Sequence, residues 1–237
     1  MSSDSMDTFS KNNLDTYLKE LAKEYRRLSG KSVPAEIILV GGGAIIAGYG
    51  FREMTTDIDA VIHASSSMKD AIDHVGDKYD LPNNWLNADF TETSSYSKKL
   101  DEYSVYYRTF SNIVTVRVMQ AQYLIAMKLR SGRLYKNDLS DIAGILAEHA
   151  RKGTQITLDQ IKEAYKNLYG NWDEIPESSG VFIENVISKG NYEEIFRETR
   201  ENEERSKKAL IEFENEYPGT LRKNNVNDIL KMLKGRK

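Results

Sequence analysis

Every stretch with a strand pattern lies between residues 35 and 118, and from Gln120 onward the apolar residues recur only at helical spacing. The strand candidates are "EIILV", "DIDAVI", "YSVYYRTF" and "NIVTVRV". They are too few and too irregularly spaced for a doubly wound parallel sheet, in which strand and helix alternate throughout. The last two flank Ser111 and Asn112 and read as a hairpin with a tight turn. Ahead of the strands, Leu14, Tyr17, Leu18, Leu21, Ala22, Tyr25 and Leu28 recur as one face of a helix over 9–28. "SSSMKDAIDHVGDKY" predicts a second helix, opened by a serine cap. "DLPNNWLNADF" is a turn-rich connection in which Trp85 serves packing.

The second half is helical. "AQYLIAMKLRSG", "KNDLSDIAGILAEHARKG" and "TLDQIKEAYKNLYG" predict three helices, and "NWDEIPESSG" is the linker candidate. The charged tail follows, with Glu193–Arg197, Glu201–Arg205, Glu203–Lys207 and Glu204–Lys208 at i,i+4, a pattern that suits a solvated helix face. The expected organisation is an N-terminal helix over 1–30 packed on a core over 31–150, then a helical region over 151–237.

Composition narrows the chemistry. A net charge of −3 argues against a general nucleic-acid coat, which is normally basic. The chain has no cysteine, so disulfides and thiolate metal sites are excluded. His63, His74 and His149 are scattered without ligand spacing. "MSSDSMDTFSKNN" has no apolar signal core, and no apolar run reaches the roughly 20 residues of a membrane span. The expected location is the cytoplasm, with no membrane partner.

The richest stretch is "LVGGGAIIAGYGFREMTTDIDAVI", Leu39 to Ile62. Asp57 and Asp59 are two apart, so on a strand they share a face while Ile58, Ala60 and Ile62 face the other way. Two carboxylates on one face repel unless a cation lies between them. Mg²⁺ accepts one or two carboxylates and completes its shell with phosphate oxygens. Gly42 and Gly43 stand where a strand passes into a helix. Glycine lets a phosphate approach the backbone there, and the helix N-terminus favours its charge. The pattern is not the dinucleotide fingerprint, and no G-K-[ST] follows to make a P-loop. The bland alternatives are a tight structural turn and two solvated acids.

Gly42-Gly43, thirteen intervening residues and then "DIDA" resemble the signature of the DNA polymerase β-like nucleotidyltransferase superfamily. "YLIAMKLRSGRLYKNDLSDIAGIL" looks like the helical segment of its AbiEii-type branch, in which a helix ending in Lys-Leu leads through a basic connection to an acid pair. Lys128, Arg133, Asp138 and Asp141 occupy those positions. "LPNNWLNADF" resembles a Trp-Leu-Asn segment of the same relatives. The resemblance covers about residues 35 to 150. It implies an α/β fold of the α+β kind: a nucleotidyltransferase fold, with a small mixed β-sheet flanked by helices and a helical C-terminal lobe.

The resemblance also implies transfer of a nucleoside monophosphate from a nucleoside triphosphate to an RNA, including tRNA, or to a protein acceptor. Membership of a toxin–antitoxin pair, with a cognate toxin or antitoxin as partner, is implied as well. Asp57 and Asp59 would bind Mg²⁺ or Mn²⁺. Gly42, Gly43, Lys128 and Arg133 would bind the nucleotide. Asp57, Asp59, Lys128 and Asp141 would form the catalytic set, with Asp138 the lesser candidate because an Asp there commonly caps its helix. One departure stands out. Many members place a third carboxylate on a later strand, whereas "NIVTVRV" offers Thr115 and Arg117. That favours the alternative expectation, a catalytically inactive nucleotide- or partner-binding module.

Overall fold

The structure, a computed structural model, describes residues 8–222 and 225–235. The chain forms two compact units. The first takes in the chain up to Leu124 together with Asn167–Tyr169, and the second takes Ile125–Lys166 and the chain from Gly170 onward.

The first unit contains helices α1 (Lys11–Ser29), α2 (Gly41–Gly48) and α3 (Ser67–Tyr79) and strands β1 (Ala35–Leu39), β2 (Ile58–His63), β3 (Leu86–Asn87), β4 (Ser104–Phe110) and β5 (Val114–Met119). The five strands form one mixed sheet in the order β3-β2-β1-β5-β4. β1 is central, antiparallel to β2 and parallel to β5. β2 and β3 are parallel, and β4 and β5 close the far edge as an antiparallel hairpin. The expected small mixed sheet flanked by helices is the architecture present.

Register sorts the sheet into two faces. Ile37 lies beside Ile62 and Val116, and Leu39 beside Ala60 and Val118, so these aliphatic residues share one face. Ile37, Leu39, Ile58, Ala60 and Val116 are fully buried. The opposite face is polar toward its ends: Glu36 pairs with His63 and Thr115, and Ile38 with Val61 and Arg117. Asp59 belongs to this second face by alternation.

Two features depart from the pattern-based expectations. β3 arises inside the stretch read as a turn-rich connection, because two residues are too few to show alternation. The three glycines lie within the first turn of α2 rather than ahead of it. Trp85 does pack as expected: it is fully buried, donates its indole N–H to the Ile72 carbonyl at 3.0 Å, and stacks on Phe9.

The second unit takes the end of α4 (Ala121–Ser131), then α5 (Asp138–Arg151), most of α6 (Leu158–Tyr169), α7 (Glu177–Lys189), α8 (Tyr192–Glu216) and α9 (Val226–Lys234). The linker candidate is structured: Trp172–Glu174 forms a 3-10 turn and α7 begins at Glu177. α8 runs along α5. Leu210 of α8 joins Val226 and Leu230 of α9 in a small core, against which Leu134 and Tyr135 pack. The tail is therefore not a uniformly solvated face. Glu203, expected to pair with Lys207 in solvent, is turned inward and is 3% exposed. The spacing that suggests an i,i+4 pair takes no account of a neighbouring helix that needs an acceptor.

Candidate active site

In the first unit the site is built where β1 meets α2. Val40 is extended and donates its N–H to the Asp59 carbonyl at 3.0 Å, so the end of β1 is stitched to β2 at the carboxylate. Gly41 follows with φ +53°, in the left-handed region. A Cβ on Gly41 would lie 3.2 Å from Asp59 Oδ2. A Cβ on Gly42 would lie 2.5 Å from Thr55 Oγ1 and 3.0 Å from an Arg52 guanidinium nitrogen. One on Gly43 would stand 3.0 Å from a methyl of Ile58. The glycines therefore let the segment Arg52–Ile58 lie directly on the first turn of α2. That turn brings its early N–H groups, which lack intrahelical partners, next to the Asp59 carboxylate.

Residues 52–57 are held in place from the other side. Thr55 is buried and exchanges backbone hydrogen bonds with Phe9, at 2.7 and 2.9 Å. Arg52 donates to the Met54 carbonyl at 3.1 Å and to Thr55 Oγ1 at 3.3 Å. The Arg52 guanidinium thus stands over Gly42, on the same turn that Asp59 flanks at Gly41. Nothing in the pattern singled out Arg52 or Thr55. The signal was their place in "REMTTDID", which matters only once the segment folds back on the glycines. Asp57 is exposed just before β2, and Asp59 is half-buried within it. Asp59 lies beside Asn87 of β3, so the Trp-Leu-Asn stretch borders the carboxylate strand.

Asp57 and Asp59 supply carboxylate oxygens, the donor type a hard divalent ion accepts. Among the described residues no group of three or more His, Asp or Glu side chains converges as a metal site. Any ion there would take the rest of its ligands from the substrate and water. On β5, in the stretch "NIVTVRV", stands Arg117. It is committed to the sheet, donating to Ser104 Oγ at 2.7 Å and to the Ser104 carbonyl at 2.6 Å.

The remaining sequence-derived residues come together in the second unit. Lys128, near the end of α4, is only 7% exposed in its side chain. Its Nζ lies 2.7 Å from Asp141 Oδ2 and 3.2 Å from Asp138 Oδ1. Arg133 grips the same Asp138 with two nitrogens, at 2.7 and 3.1 Å, and its side chain remains 40% exposed. Burial would raise the Asp138 carboxyl, but the charges of Lys128 and Arg133 outweigh it and hold the group at about 2. Asp141 is fully buried. The cap position of α5 belongs to Asn137, not Asp138, and the Asn137 side chain makes no capping bond. Arg130, on α4 with Lys128, donates to the Tyr165 hydroxyl and the Glu174 carbonyl, each at 3.0 Å.

Geometry thus yields a glycine turn with the Asp59 carboxylate seated against it in one unit and a buried lysine–aspartate cluster in the other. The model of a family described as nucleotidyltransferases of unknown function (DUF6036) matches residues 16–175. The chain belongs to this family. The match spans both the glycine turn and the lysine–aspartate cluster of this nucleotidyltransferase-family protein, and it ends before α7. No curated protein and no solved structure matches the chain. Among the described residues of this family member, no helix is long and apolar enough to cross a membrane.

Proposed function

We propose that this family member is a metal-dependent nucleotidyltransferase of the AbiEii-like kind. It would move a nucleoside monophosphate from a triphosphate to a hydroxyl of RNA, tRNA included, or of a protein. The observation that carries the reading is the close seating of Asp59 against the glycine turn: Asp59 Oδ2 stands 3.2 Å from where a Gly41 side chain would begin. A helix N-terminus that attracts phosphate and a carboxylate strand that attracts Mg²⁺ are then neighbours, the pairing a triphosphate–metal complex requires.

Each group has a role in this reading. Asp57 and Asp59 hold Mg²⁺ or Mn²⁺, which supplies charge neutralisation on the phosphates and polarises the attacked phosphorus. The N–H groups at Gly42 and Gly43 receive phosphate oxygens, and Arg52 adds a cation over the same turn. Arg133 is the exposed cation of the second cluster and serves nucleotide binding. Lys128, expected from the resemblance to bind the nucleotide, has its Nζ within 3.2 Å of both Asp138 and Asp141, so we assign it the task of holding both acids in place. Asp141 in turn fixes the Lys128 ammonium. The reaction breaks the α–β phosphoanhydride bond, forms a phosphoester to the acceptor oxygen and releases pyrophosphate.

The test is incubation with each α-labelled triphosphate, Mg²⁺ or Mn²⁺, bulk RNA and lysate protein. Label in RNA or in a protein band, absent with Asp57→Ala/Asp59→Ala, is the expected result. No transfer with any triphosphate would reject catalysis. One observation favours a second reading, a nucleotide-binding module without turnover: Arg117, tied to Ser104, stands on β5 in place of a carboxylate. Thermal stabilisation by triphosphate and Mg²⁺ without product would support it. A toxin–antitoxin role belongs to the first reading. It requires toxicity on expression alone that the neighbouring gene product relieves.

A further inference from the structure

The first turn of α5 carries both acids of the second cluster, and it has no local cap. Asn137 occupies the cap position without a side-chain bond. Asp138, the next residue, is spent on Lys128 and Arg133. The early N–H groups of a helix need acceptors, and buried ones need them most. Here the acceptor comes from far along the chain. Glu203 Oε1 accepts the Leu139 N–H at 2.9 Å and the Ser140 N–H at 3.3 Å. Ser140 is fully buried and Glu203 nearly so.

Glu203 is a costly choice for that place. Its second oxygen, Oε2, is buried with no hydrogen-bond partner among the described residues. Burial pushes the carboxyl up to about 7, although the Ser140 and Leu139 bonds pull it down. The negative charge of Asp141 nearby raises it further. An apolar side chain would seal α8 against α5 at lower cost. What the carboxylate adds is an acceptor aimed at two specific N–H groups, and a negative charge at the positive end of the helix. These N–H groups lie between Asp138 and Asp141 in sequence, so the turn they close is the one that presents both acids to Lys128.

We propose that Glu203 is a positioning residue: delivered by α8, it acts as the missing N-cap of α5 and thereby sets the geometry of the Lys128–Asp138–Asp141 cluster. Glu203 lies beyond the segment matched by the family, which ends at residue 175. The C-terminal helices of this chain thus complete a cluster whose members all lie within the family segment. The inference depends on the proposed function only in giving that cluster a catalytic meaning.

The experiment compares the full chain with Glu203→Gln, Glu203→Ala and Glu203→Met, all labelled for backbone amides and for lysine side chains. Met keeps the bulk without an acceptor, and so remains informative where Ala prevents folding. In Ala or Met, exchange at Leu139 and Ser140 should accelerate about tenfold or more while later turns of α5 hold. The Lys128 ε-CH₂ resonance should move as its carboxylate partners shift. Gln, which retains the acceptor oxygen, should restore both signals to within about twofold of the parent rate. Unchanged exchange at Leu139 and Ser140 in Met would overturn the capping role, and an unmoved Lys128 resonance would overturn the positioning role. Gln behaving like Met would show that charge, not the acceptor, is what matters, and would also overturn it. None of these readouts needs a triphosphate, so a failure of the transfer assay removes the catalytic reading and leaves this result standing.

Discussion

At the residue scale, small differences in side-chain size and charge decide what the site tolerates. Gly42 and Gly48 both lie in α2, yet a Cβ at Gly42 would meet Thr55 Oγ1 at 2.5 Å whereas one at Gly48 meets nothing within 4 Å. Gly42→Ala should cost about 1–3 kcal/mol through overpacking. Gly48→Ala should be neutral or stabilise by up to about 1 kcal/mol through helix propensity. Urea denaturation of both variants checks the contrast, and a tolerant Gly42 would mean that Thr55 yields more easily than its bonds to Phe9 imply. Lys128 is the opposite kind of position. Lys128→Met leaves Asp138 and Asp141 buried without their ammonium and should destabilise by about 3–5 kcal/mol. Neutralising both acids as well should recover much of that loss.

Protons give the same residues a signature. Asp138 is held at about 2 against an ordinary 3.8, so its contribution is fully present above pH 3.8 and is lost as pH falls toward 2. Asp138→Asn should flatten that part of the stability profile. Glu20 and Glu24 are also held at about 2, by Lys23 and Lys78 and by Arg27 and His74, and they leave a residual slope there. Glu203 has the opposite sign. Its folded value is about 7 against 4.5, so between those values the folded chain binds a proton that the unfolded chain has released. Stability should fall as pH rises from 4.5 to 7, and Glu203→Gln should remove that slope. Chemical denaturation across pH 2–8 reads both effects.

At the scale of elements, turn chemistry and periodicity explain most of what forms. Ser111 and Asn112 both have positive φ, 51° and 54°, at the centre of the β-turn that the Ile113 N–H closes on the Phe110 carbonyl, within the three-residue connection 111–113. Asn-Gly fits that turn better than Ser-Asn. Ser111→Asn with Asn112→Gly should stabilise the chain by about 0.5–1 kcal/mol, measured as a rise in melting temperature. A fall would mean that the bond from Arg26 to the Ser111 carbonyl, 3.0 Å, depends on the present turn. The helix over 9–28, the hairpin and the helices after Gln120 were legible because each buries one face over many residues, which imprints a period on the sequence. β3 and α7 were not. β3 is two residues long, and α7 lies in a Ser- and Gly-containing stretch whose helicity comes from what it packs on.

For the molecule as a whole, the C-terminal helices belong to the second unit's structure rather than decorating it. A chain ending after Gly190 would lose Glu203 from the α5 N-terminus and Leu210 from the small core that backs Leu134 and Tyr135. Such a chain should lose more helix than the removed residues account for, read by circular dichroism per residue, and the Leu139 and Ser140 amides should exchange freely. Retention of full helicity in 1–190 would show that α5 supports its own first turn.

The sequence by itself determined the class of fold, the strand carrying Asp59 (with Asp57 just ahead of it rather than on it), the glycine turn before it and the order of helices after Gln120. All are local patterns, fixed by side-chain period and backbone freedom. Only the tertiary structure decided what those residues meet. It seated Arg52 and Thr55 on the glycine turn and enclosed Lys128 between two acids. It also drew Glu203 out of a charged tail to cap a helix more than sixty residues earlier. Contacts of that separation leave no period in the chain, because they depend on which buried N–H group lacks an acceptor once the helices have packed.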